Sequence, residues 1–515
     1  MASFDIPDTF NLASFLTDRH LAEGRGDRVA LYYQDQRITY RELLASVNRT
    51  GNGFKRLGLE MENRLVMMLP DSPEFFYCFL GAMKIGAVPV AVNTLALPKD
   101  YAYFLNDSRA KVLVVHESLL SKIEPIRAEL GFLRKIVVVG KAQEGTLSYS
   151  EIVDRESAEL EVAPTSKDDV AFWMYTSGTT GVPKGVVHLH HDLLSFLPPY
   201  CENVSKITAN DIVFTTSRMF FSYGRNNSFD SPLLYGAAVV LYPDWPDANK
   251  VFQILEKYRP TILVSVPSFY AAMLRELDKE DRSLDLSFLR VCTSSGEPLP
   301  KPLFDRWKAK FGLEILDVLG STDAGGSYLG NCAGRIRPGS AGVMLDGYKG
   351  KLLGADGKEV ATGETGTLWL SNDGTAPYYW NKHQRSKQVF QGDWFNTGDR
   401  FHQDEDGFFW YDGREDEMLK VSGQWVSPLE IEAALGQHPA VSETAVVGAP
   451  DESGLTRVKA FVVLKEGRSP SPALEKEMVN FVRDRIAHFK APRWVEFVPE
   501  MPRTVTGKLQ RHRLH

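Results

Sequence analysis

The chain has 515 residues, too many for one compact core, so at least two folding units are expected. It is 43% apolar and 24% charged, with a net charge of −7. That balance excludes a sequence-independent nucleic-acid binder, which needs a basic face for phosphates, but leaves room for a nucleotide substrate held by a few local cations. The cysteines (Cys78, Cys201, Cys292 and Cys332) are widely spaced and form no CxxC pair, so neither a zinc site nor a disulfide framework is indicated. The N-terminus lacks the basic and apolar regions of a signal peptide. The most apolar stretch, 75–92, is broken by Lys84, Gly86 and Pro89 and falls short of the ~20 continuous apolar residues of a membrane span. It reads as a buried helix running into a strand, and the chain as cytoplasmic.

In chain order, short β-branched runs alternate with helical patterns from about residue 28 to 320. Strands are predicted at 65–69, 88–92, 112–115, 170–175, 213–215, 238–241, 262–266 and 291–293, and helices at 39–57, 72–85, 251–258 and 300–311. Thr39 with Glu42 forms a capping box, and Ser72 before Pro73 and Glu74 is a second helix start. This alternation predicts an α/β fold with parallel-rich sheets covered on both faces. After about 340, Gly- and Asp-rich turns separate short strands, as in a small barrel-like unit. The charged segment Asp412-Gly-Arg-Glu-Asp-Glu-Met-Leu-Lys420 then precedes a last α+β unit of about a hundred residues, which places a boundary near 414–416.

Four segments carry chemistry. Thr176-Ser-Gly-Thr-Thr-Gly-Val-Pro-Lys-Gly185 follows the strand at 170–175. Its glycines let backbone amides approach a ligand, its hydroxyls can donate to phosphate oxygens, and Lys184 adds a point charge. It is not the nucleoside-triphosphatase loop, because Gly185 follows the lysine where Ser or Thr is required. Asp317-Val-Leu-Gly-Ser-Thr-Asp323 offers a hydroxyl beside a carboxylate, a pair suited to phosphate and magnesium, although Gly-Ser-Thr-Asp also describes an ordinary helix-capping turn. In Trp394-Phe-Asn-Thr-Gly-Asp399 and Asp412-Gly-Arg414, a carboxylate can accept two ribose hydroxyls and an arginine can reach ribose or phosphate. The tail, Pro502-Arg-Thr-Val-Thr-Gly-Lys508-Leu-Gln-Arg511, holds one lysine after a Thr-Gly turn.

Together, in this order and spacing, the four segments resemble the acyl-adenylate-forming family of acyl- and aryl-CoA synthetases, luciferases and peptide-synthetase adenylation domains. The resemblance covers essentially the whole chain. It implies a large N-terminal domain (1–415) with the acid and ATP sites, a small mobile C-terminal domain (416–515), and a two-step ping-pong reaction. It also implies site residues. Thr176, Ser177, Gly178, Thr179, Thr180 and Lys184 resemble the loop that holds the β- and γ-phosphates. Ser295, Gly296 and Glu297 resemble the segment along adenine, with Asp317 opening the next nucleotide-binding segment. Thr322 and Asp323 match the phosphate- and Mg²⁺-binding pair, with Asp where Glu is usual. Asp399 and Arg414 match the ribose ligands, Asp416 the hinge, and Lys508 the catalytic lysine of adenylation. Lys420, Ser422 and Gly423 resemble the loop that faces the acyl group during thioester formation.

Within the family, Met219-Phe-Phe-Ser-Tyr-Gly-Arg-Asn-Asn227 is most similar to benzoate-CoA ligases. The implied acid pocket comprises Phe220, Tyr223, Gly224, Gly320, Gly325, Gly326 and Ser327. This stretch has no carboxylate before Asp230 to pair with an α-amino group, and its bulky aromatics oppose a fatty-acid tunnel. Gly325, Gly326 and Ser327 stand where the benzoate ligases place larger residues, so a wider pocket with an added hydroxyl is expected, suited to an amino- or hydroxybenzoate. The expected function is an ATP- and Mg²⁺-dependent aryl-CoA ligase that forms an aryl-AMP, transfers the acyl group to CoA and releases AMP and pyrophosphate. The alternative is a stand-alone enzyme that loads a carrier protein's phosphopantetheine arm. The oligomeric state is left open, with a homodimer among the options.

Overall fold

The computed structural model describes residues 4–176, 183–279, 283–415, 419–421, 424–451, 456–486, 490–503 and 509–514, with 420, 424, 425 and 512 described in backbone only. By the density of its internal packing the chain divides into two compact units, Met1–Gly350 with Leu370–Phe395, and Lys351–Trp369 with Asn396–His515. Residues 351–369 therefore group with the C-terminal part of the chain, while 370–395 belong to the first unit. The expected boundary at 415/416 abuts residues 416–418, which lie outside the described residues.

The first unit is built on two sheets. One has seven strands, in the order Leu147–Ser148, Lys135–Val139, Val112–His116, Arg64–Met68, Val88–Ala91, Val170–Thr176, Lys184–Leu189. All neighbours are parallel except the final pair, an antiparallel hairpin that brings Thr176 opposite Lys184. The other has nine strands, with a parallel centre (Ile315–Gly320, Val291–Ser294, Ile262–Ser265, Ile212–Thr215, Ala238–Leu241, Val29–Tyr33) and antiparallel edges. Leu65, Val66, Leu113, Val114, Leu263 and Val264 are fully buried, as continuous apolar runs require when both faces of a parallel sheet are covered.

Local signals set the helix starts. Tyr40–Arg56 begins at Thr39, whose backbone N–H donates to Glu42 Oε2 at 2.8 Å while Glu42 N–H donates to Thr39 Oγ1 at 3.3 Å. Pro73–Lys84 begins where Pro73 predicts, but Ser72 makes no capping bond, its hydroxyl donating instead to Glu74. These two helices cross closely because both carry glycine at the contact. A Cβ on Gly81 would lie 3.0 Å from Gly51 N and from Val47 O. Lys84 ends its helix fully buried, its ammonium donating to Asp18 and, at 2.8 Å, to Asn48 Oδ1, which satisfies the buried charge. Among the described residues no helix is long and apolar enough to cross a membrane.

Strands Lys349–Leu353, Gly366–Ser371, Trp394–Gln403 and Phe409–Arg414 share one sheet, and most of their residues belong to the second unit. A three-stranded sheet follows, with Thr456–Leu464 between antiparallel Val441–Pro450 and parallel Trp494–Phe497. Helices Pro428–Gly436 and Pro472–Arg483 pack on it around Ile431, Leu435, Val446, Val462 and Met478, all buried. The unit thus has its own small apolar core.

Candidate active site

Within the first unit, the strand after the hydroxyl-rich loop and the turn after Ile315–Gly320 meet. Lys184, the first residue of its strand, donates from Nζ to Asp323 Oδ1 at 3.2 Å and to the Tyr379 hydroxyl at 2.8 Å. The Tyr379 hydroxyl itself donates to Asp323 Oδ1, and the Lys184 ammonium lies 4.0 Å from the centre of the Tyr379 ring. Lys184 and Asp323 are 19% and 13% exposed, so salt and water screen this ion pair less than they would a surface pair.

Four residues further along the same strand, His188 is buried. Its Nε2 faces the Thr322 carbonyl at 2.8 Å and its Nδ1 faces Asp192 Oδ2 at 3.0 Å. The Thr322 carbonyl can only accept, so Nε2 carries the hydrogen of that contact. Burial raises the Asp192 carboxyl above its ordinary range, against the opposing pull of His188 and of the Leu189 N–H. Asp192 opens helix Asp192–Tyr200, and the helix N-terminus favours negative charge there. The consequence for the site is positional: His188 anchors the carbonyl of the residue whose hydroxyl is expected at phosphate.

Beside this corner lies a cavity of about 120 Å³. Ser222, Tyr223, Asn226 and Asn227 form one wall, Gly320, Ser321, Gly326 and Ser327 another, Ser295 and Gly296 a third, and Leu197 and Tyr200 the rest. Its polar groups are largely engaged with each other. The Tyr200 hydroxyl donates to Asn227 Oδ1 at 2.7 Å, Asn227 Nδ2 donates to the Tyr223 carbonyl at 2.9 Å, and the Tyr223 and Thr293 hydroxyls pair at 2.9 Å. Thr322 Oγ1 donates to Ser222 Oγ at 3.4 Å, which ties the phosphate-side segment to the cavity wall.

The sequence-predicted residues distribute as follows. Tyr223, Gly320, Gly326, Ser327, Ser295 and Gly296 share the one cavity. Phe220, Gly224 and Gly325 are not among its lining residues. Phe220 packs against Phe221, with ring centres 4.5 Å apart. Gly224 is required by the Arg218 carbonyl, which would sit 2.0 Å from a Cβ. Gly325 has φ +77, and Phe196 would lie 2.2 Å from its Cβ, so the space expected to widen the pocket at 325 is filled by that ring. Glu297 accepts from the backbone N–H and hydroxyl of Ser268, at the start of helix Pro267–Lys279. Asp317 is half-buried, and desolvation of its carboxyl, with Glu297 adding to it, pushes that group up to about 8. In the second unit, Asp399 and Arg414 stand opposite each other on paired strands, with Arg414 Nη1 3.0 Å from Asp399 Oδ1. The Tyr411 hydroxyl also donates to that oxygen, at 3.3 Å. Ser177, Gly178, Thr179, Thr180, Asp416, Ser422, Gly423 and Lys508 lie outside the described residues, and Lys420 is described in backbone only.

Sequence reasoning missed His188, Asp192, Tyr200, Asn226 and Tyr379. A signal existed for His188, a polar residue that continues the apolar run Val186-Val187 in a buried strand. None existed for Tyr379, which reaches Asp323 from 56 residues away.

A single Asp carboxylate already bridged to Lys184 is a sparse donor set for an all-protein metal cage, and among the described residues no group of three His, Cys, Asp or Glu is placed to hold a metal ion. It does fit Mg²⁺ arriving with a nucleotide, because that ion keeps waters and phosphate oxygens and needs only one or two carboxylates.

Residues 18–380 match the AMP-binding enzyme family, and 430–508 match the AMP-binding enzyme C-terminal domain. The chain is 41% identical over 513 residues to a benzoate–CoA ligase of Thauera aromatica, covering 99% of this chain and 96% of that protein. It is 40% identical to a 4-hydroxybenzoate–CoA/benzoate–CoA ligase of Rhodopseudomonas palustris, covering 98% and 94%. Among solved structures, an anthranilate CoA ligase, AuaEII, in complex with anthranoyl-AMP superimposes with a TM-score of 0.90 at 39% identity, over 99% of this chain and 97% of that one. The chain therefore belongs to the AMP-binding enzyme family, among its benzoate-CoA-ligase-like members, and is an AMP-forming acid–thiol ligase.

Proposed function

We propose that this enzyme activates an amino- or hydroxybenzoate with ATP and Mg²⁺ and transfers the aroyl group to CoA. In the first half-reaction a carboxylate oxygen of the acid attacks the α-phosphorus and the bond to pyrophosphate breaks. In the second, the CoA sulfur attacks the acyl carbon, the bond to AMP breaks, and the thiol proton is lost. Two anions must approach each other in the first step, so fixed positive charge and donors are needed where negative charge accumulates. In this reading Lys508 supplies that charge, Thr176 to Lys184 and Thr322 hold the phosphates, and Asp399 with Arg414 holds the ribose. Asp323 would hold Mg²⁺, which bound there with the phosphates would neutralise part of their charge. Lys184 and Tyr379 position Asp323, and His188 positions Thr322. Residues 1–415 act as the acid- and nucleotide-binding domain and 416–515 as a mobile domain turning at Asp416, which brings the 420–423 loop to the acyl group for thioester formation. A cytoplasmic location belongs to the same reading.

The observation that carries it is the small cavity with hydroxyl and amide walls beside the Lys184–Asp323 corner. It is suited to a flat, short acid bearing a polar group. The relatives named for benzoate, hydroxybenzoate and anthranilate add support. The test is acid-dependent pyrophosphate release across substituted benzoates, with no thiol, with CoA, and with a holo-carrier protein. Turnover with CoA and a substituted benzoate is expected; turnover with the carrier protein alone would move the enzyme to the alternative class.

A further inference from the structure

Resting on the aromatic-acid reading above, we propose that Asn226 selects the acid by accepting a hydrogen bond from an amino or hydroxyl group on its ring. Asn226 lines the cavity, is 6% exposed, and begins a π-type turn, Asn226–Asp230, directly after the short helix Ser222–Arg225. A π-type turn re-aims side chains relative to an ordinary helix and is often found at functional sites. The orientation of the amide is set by its partner. Asn226 Nδ2 donates to the Gly325 carbonyl at 2.8 Å, and a carbonyl can only accept, so the remaining atom is the oxygen.

That oxygen is buried and has no hydrogen-bond partner. Among the described side chains lining the cavity it is the one buried polar atom in this position, since Tyr200, Tyr223 and Asn227 bond to each other and to Thr293. A buried acceptor left unmatched is unfavourable, and a ligand donor that reaches it removes the deficit. An isosteric substituent without a hydrogen to donate fills the same space and leaves the oxygen unmatched, which is the condition under which a site discriminates strongly.

The test compares kcat/KM for pyrophosphate release with each aminobenzoate against its methyl counterpart and each hydroxybenzoate against its fluoro counterpart, in the 2-, 3- and 4-positions. The expected result is one position at which the donor-bearing acid exceeds its isostere by about tenfold to a hundredfold. The amino and hydroxyl arms identify which donor is read. Asn226→Leu should bring that ratio to within about threefold of one, and Asn226→Ala, which cannot overpack the site, provides the same reading if the leucine variant does not fold. A ratio near one in the unaltered enzyme, or a ratio kept by the variants, overturns the inference while leaving the aromatic-acid reading intact. If no aromatic acid supports pyrophosphate release, with or without a donor, the underlying reading fails as well.

Discussion

Around Lys184 and Asp323 the candidate site is charged, whereas along Tyr200, Tyr223, Asn226 and Asn227 it is neutral. The charged corner is tied through an ion pair and the hydrogen bonds around it: Lys184 to Asp323, Tyr379 to both, His188 to Asp192 and Thr322. The neutral wall is tied through hydroxyls and amides. The difference follows from what each side must handle. Phosphates and a carboxylate call for fixed positive charge, while a ring is selected by shape and by one or two dipoles, where a buried charge would be costly. The two regions should therefore fail differently. Damage to the charged corner slows every acid alike, and damage to the neutral wall changes which acid is chosen.

The largest expected effect is at Lys508. Lys508→Ala should slow adenylate formation by about a hundredfold to a thousandfold, roughly 2.7–4 kcal/mol, for all acids tested. Acid-dependent pyrophosphate exchange measures this, and unimpaired exchange would remove the lysine from the mechanism. Next, Lys184→Met and Asp323→Asn should each lower kcat by about tenfold or more, and the double variant should lose less than the product of the two. A coupling of at least about 1 kcal/mol in that cycle is expected for residues in direct contact, and strict additivity would contradict the ion pair. His188 separates position from bulk. His188→Gln can still donate to the Thr322 carbonyl, while His188→Leu cannot, so the leucine variant should lose about tenfold in kcat that glutamine partly restores. A shift in acid preference in either His188 variant would break the division between the two regions.

The smallest predicted effect is thermodynamic. Burial lifts the Asp317 carboxyl to about 8, well above its value in an unfolded chain. For a carboxyl raised in the folded state, the folded form binds the extra proton, so stability is fully present below about pH 4 and is lost as pH rises toward 8. Asp317→Asn mimics the protonated group at every pH. Denaturant titrations at pH 5 and pH 8 should show the variant gaining at least about 1 kcal/mol relative to the parent across that interval. A pH-independent difference would mean that Asp317 is ionised when folded.

Much of this protein was readable one segment at a time. The capping box at Thr39 and Glu42, the proline start at Pro73 and the apolar strand 238–241 all appear where expected. These signals are local, carried by backbone donors, a fixed proline φ and a period of two or 3.6 residues. Tyr223, Ser295 and Gly320, which line the cavity, each belong to a recognisable string of the sequence.

What the amino-acid order alone determined, then, is the α/β alternation, the position of most elements, and the strings that mark an adenylate-forming ligase. Only tertiary structure decided which side chains hold those strings in place. His188 meets Thr322 across 134 residues, Asn226 meets Gly325 across 99, and Phe196 fills the space that a glycine at 325 had suggested was open. Such contacts depend on how two sheets and their helices pack, and packing is set by the whole core, so no stretch of neighbouring residues encodes it.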